Sequence, residues 1–232
     1  MSTLVTCKEL TKSYGKNTAL NRVSFEIESG HIIGFLGPNG SGKTTFIKLL
    51  NGLLTPTSGE LYVKKLPVGI ESKKIISYLP DQTYLNMNST VQEVLDYFGA
   101  FYADFDKNRA LEMLNSLQIS PKDRLKSMSK GTKEKVQLIL VMSRRAELYV
   151  LDEPIAGVDP AARDYILQTI LTNYDPEASI LLSTHLISDI ETILDQVIFL
   201  KDGEICLQAS VDDIRMQHQK SIDALFREVF KC

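Results

Sequence analysis

The chain has 232 residues, of which 44% are hydrophobic and 24% charged, a composition typical of a globular protein and unlike that of a disordered one. A formal net charge of −3 gives no overall attraction to nucleic acid or to an anionic membrane, although it is compatible with a local basic patch. The cysteines Cys7, Cys206 and Cys232 are widely spread, which argues against a disulfide framework or a zinc site and favours a reducing compartment. We therefore expect a cytosolic protein that forms its own core and has protein partners.

The beginning of the sequence lacks the charged and apolar segments of a secretory signal. No apolar run approaches the roughly 18 residues that a membrane span needs. If the protein works at a membrane, we expect another chain to supply the membrane spans.

The first third of the chain predicts mainly strands. LVTCKELTKSYG, NRVSFEIESG and the apolar run at 31–36 predict the first three strands, and TTFIKLLNGLL predicts a helix. A turn at TPTSGE leads to a strand at 61–63, and KIISYLP at 74–80 predicts another strand.

The hydrophobic period becomes helical from Thr90, where T-V-Q-E has the pattern of a capping box. Three helices are predicted, over VQEVLDYFGAFY, RALEMLNSLQI and KGTKEKVQLILVM. Strands and helices then alternate: LYVLDEP, a helix near 160–174, SILLST, a helix from Ser188 with S-D-I-E as its cap, and a hairpin over QVIFLKDGEICLQA. Two short helices are expected after the hairpin.

The stretch GPNGSGKTT at 37–45 matches the phosphate-binding pattern G-x-x-x-x-G-K-[ST]. Its glycines allow backbone N–H groups to turn toward a phosphate, and the Lys43 ammonium can reach the β- and γ-phosphates of a nucleotide. A strand before the loop and a helix after it favour this interpretation over a glycine-rich turn without a ligand. The expected nucleotide-binding residues are Gly37, Pro38, Asn39, Gly40, Ser41, Gly42, Lys43, Thr44 and Thr45.

A second motif is the apolar strand LYVL, which ends in Asp152 and Glu153. Two charges that follow a buried strand are costly unless they have a role there. In phosphoryl-transfer sites the aspartate at this position supports Mg²⁺, and the neighbouring carboxylate can orient or deprotonate the attacking water. The alternative is a solvated acid pair in a turn, which the phosphate loop makes less favoured.

Six motifs, in order and over almost the whole chain, resemble those of the ATP-binding subunits of ABC transporters. The phosphate loop and LYVLDE resemble the Walker A and Walker B motifs, and Gln82 in YLPDQ resembles the Q-loop glutamine. SMSKGTKEK resembles the signature motif, AGVD at 156–159 the D-loop, and His185 the switch histidine. Tyr14 stands where the family has an aromatic residue that stacks on adenine.

The resemblance implies an α/β fold of the P-loop NTPase class, with an antiparallel β subdomain, a RecA-like core and a helical subdomain at about 84–145. All of 1–232 would form one ABC ATPase domain that hydrolyses ATP with Mg²⁺. The implied site comprises Glu153 and His185 as catalytic residues, Thr44, Gln82 and Asp152 as metal ligands, and Tyr14, the phosphate loop, Ser129 and Gly131 as nucleotide-binding residues. Without the resemblance, Tyr14, Gln82 and His185 would be a strand-end aromatic, a loop amide and a structural histidine.

The signature segment departs from the most frequent form, L-S-G-G-Q, because 128–132 read Met-Ser-Lys-Gly-Thr. Ser129 and Gly131, which resemble the family's donors to the γ-phosphate, are retained, and the helix predicted from Lys130 presents its positive end there. Lys130 and Thr132 replace a small residue and an amide, which leaves the hydrolysis rate open. The following Lys-Glu-Lys at 133–135 is expected to be a solvated helix face.

The resemblance also implies partners and a location. Two ATPase subunits would dimerise head to tail, with each ATP between the phosphate loop of one and the signature segment of the other, and integral membrane subunits would move the substrate. The protein would be cytoplasmic and peripheral on the inner face of the cell membrane, with no nucleic acid partner. Tyr84, Leu85 and Met87 are either contacts for the membrane subunits or part of the helical core. The S-K-G signature resembles exporter-like bacterial systems, so export is favoured, while the substrate is left open.

Three other functions are weighed against this one. A soluble ABC-type ATPase of DNA repair or translation would be expected to carry a coiled-coil insertion or two cassettes, and the sequence has neither. A GTPase or small-molecule kinase is disfavoured because the guanine-reading N-K-x-D pattern is absent and a signature motif has no role in a kinase. Lys43, Glu153 and His185 argue against a noncatalytic ATP-binding clamp.

Overall fold

The computed structural model describes residues 2–157, 160–175 and 177–230. The strands in this part of the chain are β1 (Thr3–Tyr14), β2 (Asn17–Glu28), β3 (Ile32–Leu36), β4 (Ser58–Val63), β5 (Leu66–Pro67), β6 (Ile76–Leu79), β7 (Leu148–Asp152), β8 (Ser179–Thr184), β9 (Gln196–Lys201) and β10 (Glu204–Ser210). The helices are α1 (Lys43–Leu50), α2 (Ile70–Ile75), α3 (Val91–Phe101), α4 (Lys107–Ser116), α5 (Lys130–Met142), α6 (Pro160–Asn173), α7 (Ile187–Ile190), α8 (Val211–His218) and α9 (Ile222–Val229), with 3₁₀ turns at Leu125–Ser127 and Glu191–Ile193. Within the described residues, no helix is both long and apolar enough to cross a membrane.

The strands form two sheets. A six-stranded sheet has the order β10-β9-β3-β8-β7-β6, in which all neighbours are parallel except the edge pair β10 and β9. Every residue of β3, β7 and β8 is buried, as expected for central parallel strands covered on both faces. A four-stranded antiparallel sheet has the order β2-β1-β4-β5.

Three hydrophobic clusters hold these layers together. One lies between the antiparallel sheet, α1 and one face of the parallel sheet, where the rings of Phe25, Phe35 and Phe46 have centroids 5.0–6.1 Å apart. The second covers the other face with α6, α7, α8 and α9. The third belongs to α3, α4 and α5, which bury their own apolar faces together. The core therefore consists of two layers around the parallel sheet and a separate helical cluster.

Several predicted elements differ from the structure at their ends. Residues 74 and 75, predicted as strand, belong to α2, which the sequence analysis missed, and α1 ends at Leu50 rather than continuing through 54. The predicted S-D-I-E cap is wrong, because α7 begins at Ile187 and the Ser188 hydroxyl donates to Asp189 (3.3 Å). Local hydrogen bonding of a serine to its neighbour competes with capping. The bounds of α5 and the β9–β10 hairpin are confirmed.

The predicted capping box at the start of α3 is confirmed. The Glu93 N–H donates to Thr90 Oγ1 (3.2 Å), and the Thr90 N–H donates to Glu93 Oε2 (2.8 Å). Replacing Thr90 by alanine is expected to lower the free energy of unfolding by about 1 kcal/mol, because the Glu93 N–H loses its acceptor. Urea denaturation measures this loss. Thr172→Ala, at an exposed threonine inside α6, is the control, and equal stability of both variants would contradict the prediction.

Candidate functional site

Four predicted site segments lie at one edge of the six-stranded sheet. The strands β3, β8, β7 and β6 are adjacent in that order and parallel. The phosphate loop follows β3, His185 follows β8, Glu153 follows β7, and Gln82 lies three residues beyond β6. Because the carboxyl ends of parallel strands share one edge, where open α/β sheets bind ligands, the fold brings these distant segments together.

The phosphate loop is packed so tightly that its glycines are required. A Cβ on Gly37 would lie 2.3 Å from the Leu200 carbonyl oxygen, and one on Gly42 would lie 2.4 Å from the Ala19 carbonyl oxygen. Gly40 and Gly42 also have φ values of +82° and +110°, which side chains rarely adopt. The loop ends at the N-terminus of α1, whose first N–H groups have no partner within the helix. This arrangement can bind an anion such as a phosphate.

The Lys43 side chain lies inside this loop. Its ammonium donates to the carbonyl oxygens of Gly37 (2.7 Å) and Pro38 (3.2 Å). Burial lowers the pKa of Lys43, while the charges of Glu153 and Asp152 oppose that shift. The Ser41 hydroxyl, also in the loop, is buried without a hydrogen-bond partner. A phosphate in the loop would give Lys43 a compensating charge and Ser41 a partner.

Asp152 has one satisfied and one unsatisfied oxygen. Its Oδ1 accepts a hydrogen bond from the Ser183 hydroxyl (2.6 Å), whereas its Oδ2 is buried and has no partner. Burial raises the pKa of Asp152, while the hydroxyls of Ser183 and Thr44 oppose the shift. A carboxylate and a neighbouring hydroxyl are oxygen donors that suit Mg²⁺, and a cation would compensate the unpaired Oδ2. Asp152 and Thr44 therefore fit the metal site that the sequence predicts.

Ser183 was missed by the sequence analysis. It lies directly across from Asp152 in the register of β7 and β8. The available signal was a serine at the end of the otherwise apolar strand SILL, since a buried hydroxyl needs a partner. A neighbouring strand that ends in an acid supplies that partner.

Glu153 and His185 contact each other at the same edge. His185 Nδ1 lies 3.0 Å from Glu153 Oε2, and the Glu153 N–H donates to the Ser183 carbonyl oxygen (2.9 Å). Glu153 has φ +52°, a conformation that few residues other than glycine adopt. Such backbone strain persists only where the surroundings impose it, often at functional sites. The backbone of Glu153 is thus held by β8, and its carboxylate is held by the imidazole.

Tyr14 lies at the tip of the β1–β2 hairpin. It pairs with Asn17 across the turn, its ring is 48% exposed, and Lys12 Nζ lies 5.3 Å from the ring centroid. Two residues further along β2, the Ala19 carbonyl oxygen lies against Gly42 of the phosphate loop. The hairpin therefore presents an exposed aromatic face near the loop, which suits stacking on a base.

The chain matches a known protein family and several of its members. The family model described as ABC transporter matches residues 20–156, more than half of the chain. The chain belongs to the ABC transporter family. Its relatives include the ABC transporter ATP-binding protein YtrB of Bacillus subtilis (strain 168), 30% identical over 94% of this chain and 75% of YtrB. The SkfA peptide export ATP-binding protein SkfE of the same organism is 31% identical over 87% of each chain.

Solved structures of ABC proteins share the fold. The ATP-binding subunit of an ABC transporter matches with a TM-score of 0.89 and 28% identity over 98% of this chain and 100% of that one. The ATP-binding cassette MJ0796, a dimer in a post-hydrolysis state bound to ADP and Pi, matches with a TM-score of 0.77 and 25% identity over 89% and 98%. These likenesses confirm the predicted fold class. The chain is an ABC transporter ATP-binding subunit and an ATP hydrolase.

Gln82 of the ABC subunit borders two cavities. The first, of about 360 Å³, is also lined by Glu153 and by Lys130 and Glu134 of α5. The second, of about 690 Å³, we call the groove. Its lining includes five aromatic residues, Tyr78, Tyr84, Phe98, Phe101 and Tyr102, together with charged residues such as Arg144. Gln82 thus lies between the predicted catalytic carboxylate and an apolar groove.

The signature segment begins α5. Ser129 is the N-cap, and its hydroxyl accepts from the Thr132 N–H (3.1 Å). A Cβ on Gly131 would meet no atom within 4 Å. Within the described part of the chain, no hydrogen bond joins either residue to the phosphate loop. Of the predicted D-loop, Val158 and Asp159 lie outside the described residues.

The prediction of a solvated helix face at 133–135 is wrong. All three residues are half-buried. Lys135 Nζ lies 5.2 Å from the Tyr165 ring centroid, and Glu134 Oε2 is buried without a hydrogen-bond partner. Burial raises the pKa of Glu134, and Lys130 opposes the shift. The reason is tertiary packing, since Tyr165 of α6 contacts this face of α5, and Lys133 and Glu134 line a cavity together with the Gln82 loop.

The three residues that the sequence offers as contacts for the membrane subunits lie in two different environments. Leu85 and Met87 pack against the helical cluster of α3, α4 and α5. Tyr84 is 51% exposed and lines the groove. The sequence left open whether these residues contact a partner or belong to the helical core. Leu85 and Met87 belong to the core, whereas Tyr84 is exposed and available for a partner.

Proposed function

We propose that this ABC subunit couples ATP binding and hydrolysis to substrate movement by separate integral membrane subunits, as one of two ATPase subunits that close head to tail. The observation that carries the proposal is the free N-terminal end of α5. Ser129 is exposed, Gly131 has open space beside it, and neither is bonded to the phosphate loop of its own chain among the described residues. Both are then available to the γ-phosphate of ATP held by a second copy. The dimeric state of MJ0796 supports a second copy as the partner.

Closure depends on the γ-phosphate in this scheme. ATP contacts the phosphate loop of one subunit and the signature segment of the other, so it stabilises the closed dimer. ADP lacks the group that reaches across, so hydrolysis and phosphate release favour opening. A ligand shifts an equilibrium between two states only through such a difference in contacts.

Each residue of the site has a defined role in the proposal. Lys43 and the loop N–H groups bind the phosphates, while Tyr14 stacks on adenine. Thr44, Gln82 and Asp152 would hold Mg²⁺, which when bound offsets the charge of the phosphate oxygens.

Glu153 accepts the proton of the attacking water in this proposal. His185, 3.0 Å from Oε2, fixes the orientation of that carboxylate. Together with the backbone bond to Ser183, this contact keeps the carboxylate at the sheet edge where the phosphates would bind.

The groove is where we place the membrane subunit. Its aromatic lining and the exposure of Tyr84 and Phe101 (66%) suit an apolar protein segment, and Gln82 on its border would transmit the contact to the site. This surface favours a transporter subunit over a soluble ATPase of DNA repair or translation. We place the protein on the cytoplasmic face of the membrane and favour export, which the name of SkfE supports.

Ser129→Arg tests the head-to-tail site. The bulky cation would occupy the closed interface, so hydrolysis is expected to fall at least about tenfold while the isolated chain still binds ATP within about twofold of the parent. Steady-state phosphate release and equilibrium dialysis with labelled ATP measure the two quantities.

Ser221→Arg is the matched control, because Ser221 is the N-cap of α9 with the same geometry and accepts from the Ala224 N–H (3.1 Å). This variant loses the N-cap hydrogen bond of α9 and gains a positive charge, as Ser129→Arg does for α5, but at a site away from the signature segment. Parental hydrolysis by Ser129→Arg would overturn the head-to-tail arrangement.

A further inference from the structure

Arg144 connects three segments of the fold just after α5. It is 3% exposed, and its guanidinium donates to the backbone carbonyl oxygens of Ile76 and Lys74 (2.7 Å for Lys74). It also donates to the Asp104 carboxylate through Nε (3.1 Å) and NH2 (3.0 Å). The guanidinium carbon lies 3.9 Å from the centroid of the Tyr102 ring. We call these five residues the Arg144 junction.

The junction joins the helical part of the protein to the parallel sheet. Asp104 and Tyr102 belong to the connection between α3 and α4, whereas Lys74 and Ile76 lie where α2 gives way to β6. Backbone bonds reinforce the connection to α5, from the Asp106 N–H to the Ser143 carbonyl oxygen (2.7 Å) and from the Arg145 N–H to that of Asp104 (3.1 Å).

The first residues of β6 therefore take their position from the end of α5. Besides the bond to Ile76, the Ser77 hydroxyl donates to the Val141 carbonyl oxygen (2.8 Å). β6 is an edge strand with β7 as its only neighbour in the described sheet, so half of its backbone is not fixed by strand pairing. Only Pro80 and Asp81 separate its last residue from Gln82. The junction and Gln82 are thus the two ends of one short segment.

Arginine suits this place better than any other residue. Its planar group presents five N–H donors in a fixed fork, and here it binds two carbonyl groups and a carboxylate while stacking on a ring. A lysine keeps the charge. Its single ammonium cannot bond both carbonyl oxygens and the carboxylate while also stacking on the ring. The junction also lines the groove through Arg144, Tyr102 and Ile76.

We propose that Arg144 is a positioning residue for ATP hydrolysis, which holds β6 and the adjoining Gln82 loop in place relative to the helical cluster. The inference rests on the role given to Gln82 in the proposed function. Arg144 does not touch the phosphate loop in this arrangement, so it governs turnover rather than nucleotide binding. A segment of the membrane subunit that binds in the groove would contact the Arg144 junction and the Gln82 loop at the same time.

Arg144→Lys in the purified full chain tests the proposal. We expect kcat for ATP to fall about tenfold with KM within about twofold, because the chemical step loses its positioning while the phosphate loop is unchanged. Amide hydrogen exchange at 80–84 should rise about tenfold, with no change at 37–45. Asp104→Asn removes the carboxylate charge from the other side of the junction and should give the same pattern in a milder form.

Arg145→Lys is the matched control. Arg145 is the adjacent arginine, 75% exposed, and pairs with Asp106 instead of β6. It should leave kcat and exchange at the parental values. Equal kcat and exchange in Arg144→Lys and the parent would overturn the proposal. A rise in exchange over the whole chain, with KM and kcat changed together, would also overturn it, since Arg144 would then be only structural.

Gln82→Ala separates this proposal from the one on which it rests. If Gln82→Ala hydrolyses ATP at the parental rate, the proposed role of Gln82 is wrong. The exchange measurement at 80–84 still decides whether Arg144 positions that loop.

Discussion

The Glu153→Gln variant is expected to hydrolyse ATP at least about a hundredfold more slowly than the parent, the loss that removal of a general base typically causes. Glutamine keeps the size of the side chain and removes its basicity. The contacts of Lys43 and the phosphate loop are untouched, so ATP affinity should persist and ATP should accumulate in closed dimers. Single-turnover hydrolysis and light scattering with ATP and with ADP measure the two effects.

Glu147→Gln is the control for this variant. Glu147 precedes the same strand, β7, that Glu153 follows, and its carboxylate pairs with Lys64 at the surface (2.6 Å). The control should hydrolyse ATP like the parent. Hydrolysis at the parental rate by Glu153→Gln would show that Glu153 is not the base, and the interpretation of LYVLDE would be wrong.

Lys43→Ala should abolish tight ATP binding, with affinity about a hundredfold lower. Lost charge-assisted contacts to two phosphates correspond to roughly 3 kcal/mol. The fold should remain, because burial disfavours the charged lysine, as its lowered pKa indicates, and that desolvation cost disappears with the side chain. Equilibrium dialysis with Mg²⁺ present measures affinity, and urea denaturation measures stability.

Lys48→Ala is the matched control in the same helix. Lys48 is an exposed lysine in the last turn of α1, five residues beyond Lys43 and away from the phosphate loop. It should bind ATP like the parent. Near-parental affinity of Lys43→Ala would contradict the assignment of the phosphate loop.

The parts of the fold that the sequence predicts well are those with a strong local signal. The bounds of α5 follow from an uninterrupted helical period, and the capping box from two residues, Thr90 and Glu93, at a fixed spacing. The phosphate loop is predicted because its glycines and its lysine stand at fixed spacings within nine residues, although the close contacts of Gly37 with Leu200 and of Gly42 with Ala19 are visible only in the structure. α2 was missed because six residues carry too little periodicity to separate a helix from a strand.

The parts that the sequence does not predict depend on pairing between distant segments. Ser183 supports Asp152 only through the register of β7 and β8, and Arg144 joins α5 to β6 through carbonyl groups that have no sequence signature. The half-burial of Glu134 likewise depends on how α6 packs against α5. Motif patterns identify the residues that would touch the nucleotide. The residues that position those side chains can be identified only from the tertiary structure.

The position of β8 in the sheet has a consequence for folding. β8 separates β3 from β7, so the strand that precedes the phosphate loop and the strand that ends in Asp152 become second neighbours only after residues 179–184 insert between them. Such non-local pairing makes the closure of the sheet slow compared with helix formation. A chain still growing on the ribosome therefore has a phosphate loop and a carboxylate pair but no assembled site. We therefore expect no nucleotide turnover before β8 has taken its place between β3 and β7.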